Sequence, residues 1–169
     1  MSIAESVLPE FDQEMASTRK LLERVPASAF EWMPHPKSMS MKRLAGHLAN
    51  LPNWAVMTLD RTELDLEPPG GPAFQQPQFD GPADILAAFD TNVKAAREWI
   101  AKTNDADYLV TWSLKKAGQT LLSMPRVVCL RSFVLNHMIH HRGQLSVYLR
   151  LRDVPVPGVY GPSADEAGM

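Results

Sequence analysis

The stretch Asn136-His137-Met138-Ile139-His140-His141-Arg142-Gly143-Gln144-Leu145 places three of the protein's five histidines within five residues. It sits inside a run of helical periodicity that extends from about Ser123 to Arg152. At 3.6 residues per turn each residue advances about 100°. With His137 as origin, His141 lies roughly 40° away, and Leu130, Val134, Gln144 and Tyr148 fall in the same sector. The phase thus predicts His137 and His141 in the middle of the core-facing stripe, with His140 roughly 60° to the other side, on its flank. Two imidazoles one turn apart on one face can chelate a divalent metal ion. Such a pair is not yet a site, so a third ligand has to come from elsewhere in the chain.

The rest of the sequence supplies partners for this last helix. Val7, Leu8, Phe11, Met15, Thr18, Leu22 and Val25 recur at three- and four-residue steps, predicting a first helix from about Ser6 to Val25 with Pro9 in its first turn. A loop, Ala27 to Met39, follows. Ser40 is a cap candidate for a second helix reaching about Leu59, with His47, Leu51 and Trp54 on its inner face. Pro52 should kink or divide that helix just after His47. Residues Arg61 to Gly81, rich in proline and glycine, read as a connecting loop without an element of its own. Pro82 opens a third helix through Ile85, Phe89, Val93, Ala96 and Ile100, ending near Lys102. Between Asp105 and Ser123, Val110, Trp112 and Leu114 alternate with polar residues ahead of a Lys116-Ala117-Gly118 turn, predicting a short hairpin. Ser123 and Pro125 signal the start of the last helix, and Val154 to Met169 carries no periodicity. The expected architecture is all-α: a single domain, residues 1–169, forming a four-helix bundle with long connections, a short hairpin before the last helix and a surface tail over 155–169.

His47 is the natural third ligand, because side chains from facing helices of a bundle converge on its interior. Three imidazoles with a vacant fourth position match catalytic rather than structural divalent sites. Imidazole suits zinc, nickel, iron and copper; zinc or nickel is the expected ion, and iron the next candidate. The plainer reading is that a core histidine is hydrogen-bonded and structural. Burying two imidazoles without satisfying their nitrogens costs on the order of a few kcal/mol, and a metal is one way to satisfy them. By spacing alone His140 can replace His141 as an i, i+3 ligand, although its flank position suits an outer role. His35, between two prolines, reads as a loop residue. Gln144 and Asn50, each about a turn from a candidate ligand, read equally as orienting groups or as helix packing. Gly143 reads as a place where another backbone approaches closely. Trp54 and Tyr148 read as pocket lining or plain core. Arg126, Arg131, Arg142, Arg150 and Arg152 point in several directions and read as solvated or interface surface. Cys129 is placed on the helix flank with nothing to mark it as a nucleophile. No catalytic residue can be named: Asp60 and Glu63 are the carboxylates nearest the end of helix two, and nothing in the sequence places them in the site.

Composition narrows the function classes. With 45% hydrophobic and 21% charged residues, the 169-residue chain is ordinary for a globular protein. A net charge of −2 supplies no electrostatic drive toward nucleic acid or an anionic membrane surface. One cysteine excludes an internal disulfide and cysteine-based zinc ligation. There is no signal-peptide pattern and no window of about eighteen apolar residues, so a soluble cytoplasmic protein is expected. Glycine-rich phosphate loops, serine-nucleophile motifs and HExxH are all missing.

The segment LNHMIHHRGQLSVYLRL followed by VPVPGVYGPSADE, with LAGHLANLPNW and LLERVPASAFEWMPHPKSMS upstream, resembles the DinB-like (YfiT-like) family of metal-dependent bundle proteins. The resemblance spans nearly the whole chain. It implies one histidine ligand on the second helix and two, four apart, on the last, which here are His47, His137 and His141; His140 is similar to a frequent non-ligand histidine of that block. It also implies a homodimer. For activity it implies a metal-dependent transferase using low-molecular-weight thiols such as bacillithiol or mycothiol, or a hydrolase, acting on a small molecule. Many relatives have no assigned activity. A non-catalytic metal- or ligand-binding module is the alternative.

Overall fold

A computed structural model describes residues 1–167. Its frame is helical, and the first three long helices each begin where a side chain satisfies a backbone amide at the start of the helix. Helix α1 (Ile3–Leu22) is opened by Ser2, whose hydroxyl accepts from the Glu5 amide while the Glu5 carboxylate accepts from the Ser2 amide at 2.7 Å. The helix therefore begins three residues before Ser6, and Pro9 sits inside it rather than in its first turn. Helix α2 (Met41–Asp60) starts at Ser40, whose Oγ accepts from the Arg43 amide at 3.2 Å. It runs through Pro52 undivided, with the proline itself buried. Helix α3 (Pro82–Lys102) opens on Pro82, with the Asp84 carboxylate accepting from the Gly81 amide at 3.1 Å. Phe11, Met15, Leu44, Leu48, Ile85, Phe89 and Ile100 interlock among these three helices, each almost wholly buried. Exposed ion pairs Arg97–Asp12 and Arg19–Asp90, both at 2.8 Å, link α3 to α1, and solvent screening keeps their contribution small.

The all-α four-helix expectation is corrected by a small sheet. Strand β2 (Thr111–Lys116) and β3 (Gln119–Pro125) form the expected antiparallel hairpin, turning at Ala117 and Gly118 with φ of 50° and 77°. Strand β1 (Glu63–Asp65) lies in the stretch read as pure loop, and it pairs in parallel with β2, giving the order β1-β2-β3. Three residues are too short a signal to read locally; the partner that makes them a strand lies about fifty residues away. A short helix α4 (Asp105–Leu109), capped by Asn104, precedes the hairpin and was not foreseen either. The sheet buries Trp112 and Leu114 against Cys129, and the Trp112 indole donates to the Met57 carbonyl at 3.1 Å.

The last helical run begins at Arg126, since Ser123 and Pro125 belong to β3. It comprises α5 (Arg126–Cys129), a π-helical segment (Leu130–Asn136) and α6 (His137–Arg150). The π segment changes the phase. In a π turn each amide bonds five residues back, so one extra residue is accommodated and everything after it rotates by roughly 100°. The stripe that starts at Leu130 and Val134 therefore continues through Met138, Arg142, Leu145 and Leu149, all buried. His137, His141 and Tyr148, expected at its centre, lie half-buried at its edge.

Two further expectations change. Arg142 and Arg126 are buried rather than solvated. Arg142 bonds Glu14 of α1 at 2.6 Å with both side chains almost fully enclosed, and it donates to the Tyr160 hydroxyl at 2.7 Å. Tyr160 in turn donates to the Glu14 carboxylate at 2.9 Å. The described tail residues run along the surface: Val154, Val156 and Val159 pack against the core from outside, and Asp165 pairs with Arg150 at 2.6 Å. Residues 168 and 169 of that predicted tail lie outside the described residues. Cys129 sits in the second apolar cluster, not on a flank, where burial pushes its thiol pKa up.

Candidate metal centre

His47 comes from the second turn of α2, and His137 and His141 from the first turns of α6. Their Nε2 atoms converge: His47 to His137 at 3.3 Å and His137 to His141 at 2.9 Å. One nitrogen from each ring lies within 4.8 Å of the others, so the trio could hold a metal ion. Tetrahedral coordination at Zn–N of 2.0–2.1 Å requires ligand nitrogens roughly 3.3 Å apart, which these spacings approach.

The outer hydrogen bonds decide which face each ring presents. His141 Nδ1 lies 2.8 Å from Gln144 Oε1, while Gln144 Nε2 donates to His140 Nε2 at 3.2 Å. An amide oxygen only accepts, so the proton of His141 is on Nδ1 and its Nε2 is bare. The nearby Phe133 backbone works against the lowering of the His137 pKa by burial. The His137 Nε2 stands 2.9 Å from the bare His141 Nε2, where it donates to it in the metal-free protein and where both nitrogens would turn lone pairs to a bound cation. The donor set fits a divalent ion. Burial and the neighbouring imidazoles lower the pKa of all three histidines, His47 to about 4, so each is neutral and ligand-ready at neutral pH.

The trio forms one wall of a cavity of about 560 Å³ lined also by Met39, Arg43, Gly46, Gln76, Pro77 and Phe79. Gly46 makes room for Phe79, which reaches the cavity from the 61–81 connection: a Cβ on Gly46 would lie 2.9 Å from the Phe79 ring. The sequence profile of the DinB superfamily matches residues 10–145, the span that carries all three histidines. The chain belongs to the DinB superfamily. It is 28% identical over 163 residues to the protein YrdA of Bacillus subtilis strain 168, covering 94% of this chain and 89% of YrdA. Its fold is similar to the crystal structure of a DinB-like protein from Bacillus cereus ATCC 10987, with a TM-score of 0.72, 24% identity, and 94% and 98% of the two chains covered. The DinB-like protein YjoA of Bacillus subtilis is also similar, with a TM-score of 0.68, 17% identity, and 91% and 97% covered.

Other residues of this DinB protein sort clearly. His140 is exposed; it packs edge-on against the His141 ring at 4.8 Å and accepts from Gln144, and it is not part of the convergent trio. His35 is exposed in its loop, its Nδ1 accepting from the Lys37 amide. Asn50 holds the connection rather than a ligand, its Nδ2 donating to Gln76 Oε1 at 3.4 Å. Trp54 packs on Phe74, and Tyr148 braces the 27–39 loop through Trp32 and the Met39 carbonyl, so neither ring lines the cavity. Asp60 and Glu63 are taken up by Arg61 and Lys115. Arg43, Gln76 and Phe79 are cavity residues that sequence reasoning missed. Arg43 alone had a signal, lying one turn before His47 on the same helix face.

Proposed function

We propose that this DinB protein is a metal-dependent enzyme whose His47, His137 and His141 bind one divalent ion, zinc or nickel first and iron next, to activate a nucleophile in the adjoining cavity. The observation that carries this reading is the convergence of three imidazole nitrogens within 4.8 Å of one another on the wall of a cavity, with no fourth protein ligand among the described residues. When bound, a divalent ion supplies Lewis acidity, lowering the pKa of a coordinated water or thiol toward neutrality. The chain's own residues orient and enclose. Gln144 locks the His141 imidazole with Nε2 inward, and Phe79 and Met39 give the cavity an apolar lining. The nucleophile is a water, giving a hydrolase, or a low-molecular-weight thiol, giving a transferase; the family resemblance supports the thiol. Under this reading the enzyme works as a homodimer in the cytoplasm.

Elemental analysis of untagged protein reconstituted with zinc or nickel tests the ligand set. About one ion per chain is expected for the wild type and near none for His137→Ala. Equal, near-zero content in both would sink the reading. Metal-loaded protein incubated with electrophiles and a thiol panel tests the chemistry. Chelation that lowers the melting temperature while no thiol or ester substrate turns over would support a non-catalytic module instead.

A further inference from the structure

The cavity beside the trio has a charge character that the metal reading does not use. Its charged lining is cationic, Lys42 and Arg43, and no carboxylate lines it among the described residues. The two cations are not equivalent. Lys42 is paired with Glu31 at 3.2 Å and lies over the Phe30 ring. Arg43 has no carboxylate partner among the described residues, although most of the chain's other arginines do. It stands one turn before His47, so its guanidinium and the trio open on the same space. The lining offers a second donor in Gln76. Asn50, only 3% exposed, engages Gln76 through the amide oxygen, which leaves the Gln76 Nε2 donor without a protein acceptor. Met39, Pro77 and Phe79 make the rest of the lining apolar.

We propose that this cavity selects small amphipathic oxyanions, molecules with an apolar body and a carboxylate or phosphate group, the oxyanion pairing with Arg43 and Gln76 while the body packs on Phe79 and Met39. The proposal names the substrate class of the site described above and rests on that site being the reactive one. Guanidinium is the group best matched to a planar or tetrahedral oxyanion, since it donates two parallel N–H bonds to it. An unpaired arginine beside neutral imidazoles leaves the space net positive, and a neutral isostere gains nothing from it.

The experiment is isothermal titration of benzoate, phenyl phosphate and the neutral isostere benzamide into wild type, Arg43→Gln and Arg43→Lys, with metal content measured on every sample. Arg43 is exposed, so both variants are expected to fold. Wild type should prefer at least one of the two anions over benzamide by roughly tenfold or more, the size of one charge-assisted pair. Benzoate against phenyl phosphate then assigns the oxyanion as carboxylate or phosphate. Arg43→Gln should remove the preference at unchanged metal content, and Arg43→Lys should restore part of it. Equal binding of anions and benzamide, no anion binding to wild type at 10-millimolar order concentrations, or a preference that survives Arg43→Gln would each overturn the proposal. The two readings fail separately. Absence of metal with an Arg43-dependent preference defeats the metal site alone, and bound metal without that preference defeats the anion cavity alone.

Discussion

Replacing Arg142 by methionine removes the cation from the most enclosed charged group in the protein. The Arg142 and Glu14 side chains are 3% and 5% exposed, and their closest approach is 2.6 Å. Arg142 also donates to the Glu14 carbonyl at 3.1 Å and to the Tyr160 hydroxyl at 2.7 Å. Without it, the Glu14 carboxylate keeps only the Tyr160 hydroxyl, and a carboxylate stranded in the interior costs about 3–5 kcal/mol. For a chain of this size each kcal/mol moves the melting temperature by about 2–4 °C, so Arg142→Met should melt about 6–20 °C below wild type. Removing both charges is different, because no uncompensated ion is left: Glu14→Leu with Arg142→Met should recover most of the loss. Urea denaturation of wild type, both single variants and the double variant gives the cycle. An Arg142→Met protein within about 1 kcal/mol of wild type would refute the reasoning, as would a double variant no more stable than Arg142→Met.

Gln144→Leu strips His141 of the acceptor that keeps its Nε2 bare, and metal affinity should fall by about ten- to a hundredfold in a competition titration with a chromophoric chelator; an unchanged affinity would show that Gln144 is only packing. Acid should destabilise the metal-free protein. The folded state holds His47 near pKa 4 against 6.5 for the unfolded chain, so between those values the unfolded chain binds more protons and stability falls with falling pH, by up to about 3 kcal/mol for this group, with His137 and His141 acting in the same direction. Urea melts of chelator-treated protein at pH 7.5, 5.5 and 4.5 read this, and a flat profile contradicts it. Gly46→Ala puts a methyl group 2.9 Å from the Phe79 ring and should lower stability by about 1–3 kcal/mol, while metal content stays at the wild-type level; thermal melts and elemental analysis separate the two effects.

Local patterns carried a good deal of this protein. Apolar recurrence at three- and four-residue steps located α1, α2 and α3 and the last helical run, and Pro82 and Lys102 bound α3 as expected. Alternation around Trp112 and Leu114, with a Lys-Ala-Gly turn, located the β2–β3 hairpin. The i, i+4 spacing of His137 and His141, together with a histidine on an apolar helix face, was enough to name the trio that the fold brings together. These features share a cause. Helical phase, proline stops and caps act within a few residues, so a linear pattern contains them.

Tertiary structure decided what depends on distant partners. Strand β1 exists because β2 offers it a ladder. The π segment is a property of how the last run seats against its neighbours, and no period in the sequence announces the roughly 100° rotation that moves the histidines from the centre of the stripe to its edge. That rotation also brings Arg142 inward, where Glu14 and Tyr160, 128 and 18 residues away, make its burial tolerable. Arg43 and Lys42 are neighbours of equal charge in the sequence, and only the fold gives Glu31 to one of them and leaves the other facing the cavity. A pattern of residue types fixes which side chains can share a face; where a charge is spent depends on the neighbour that folding delivers.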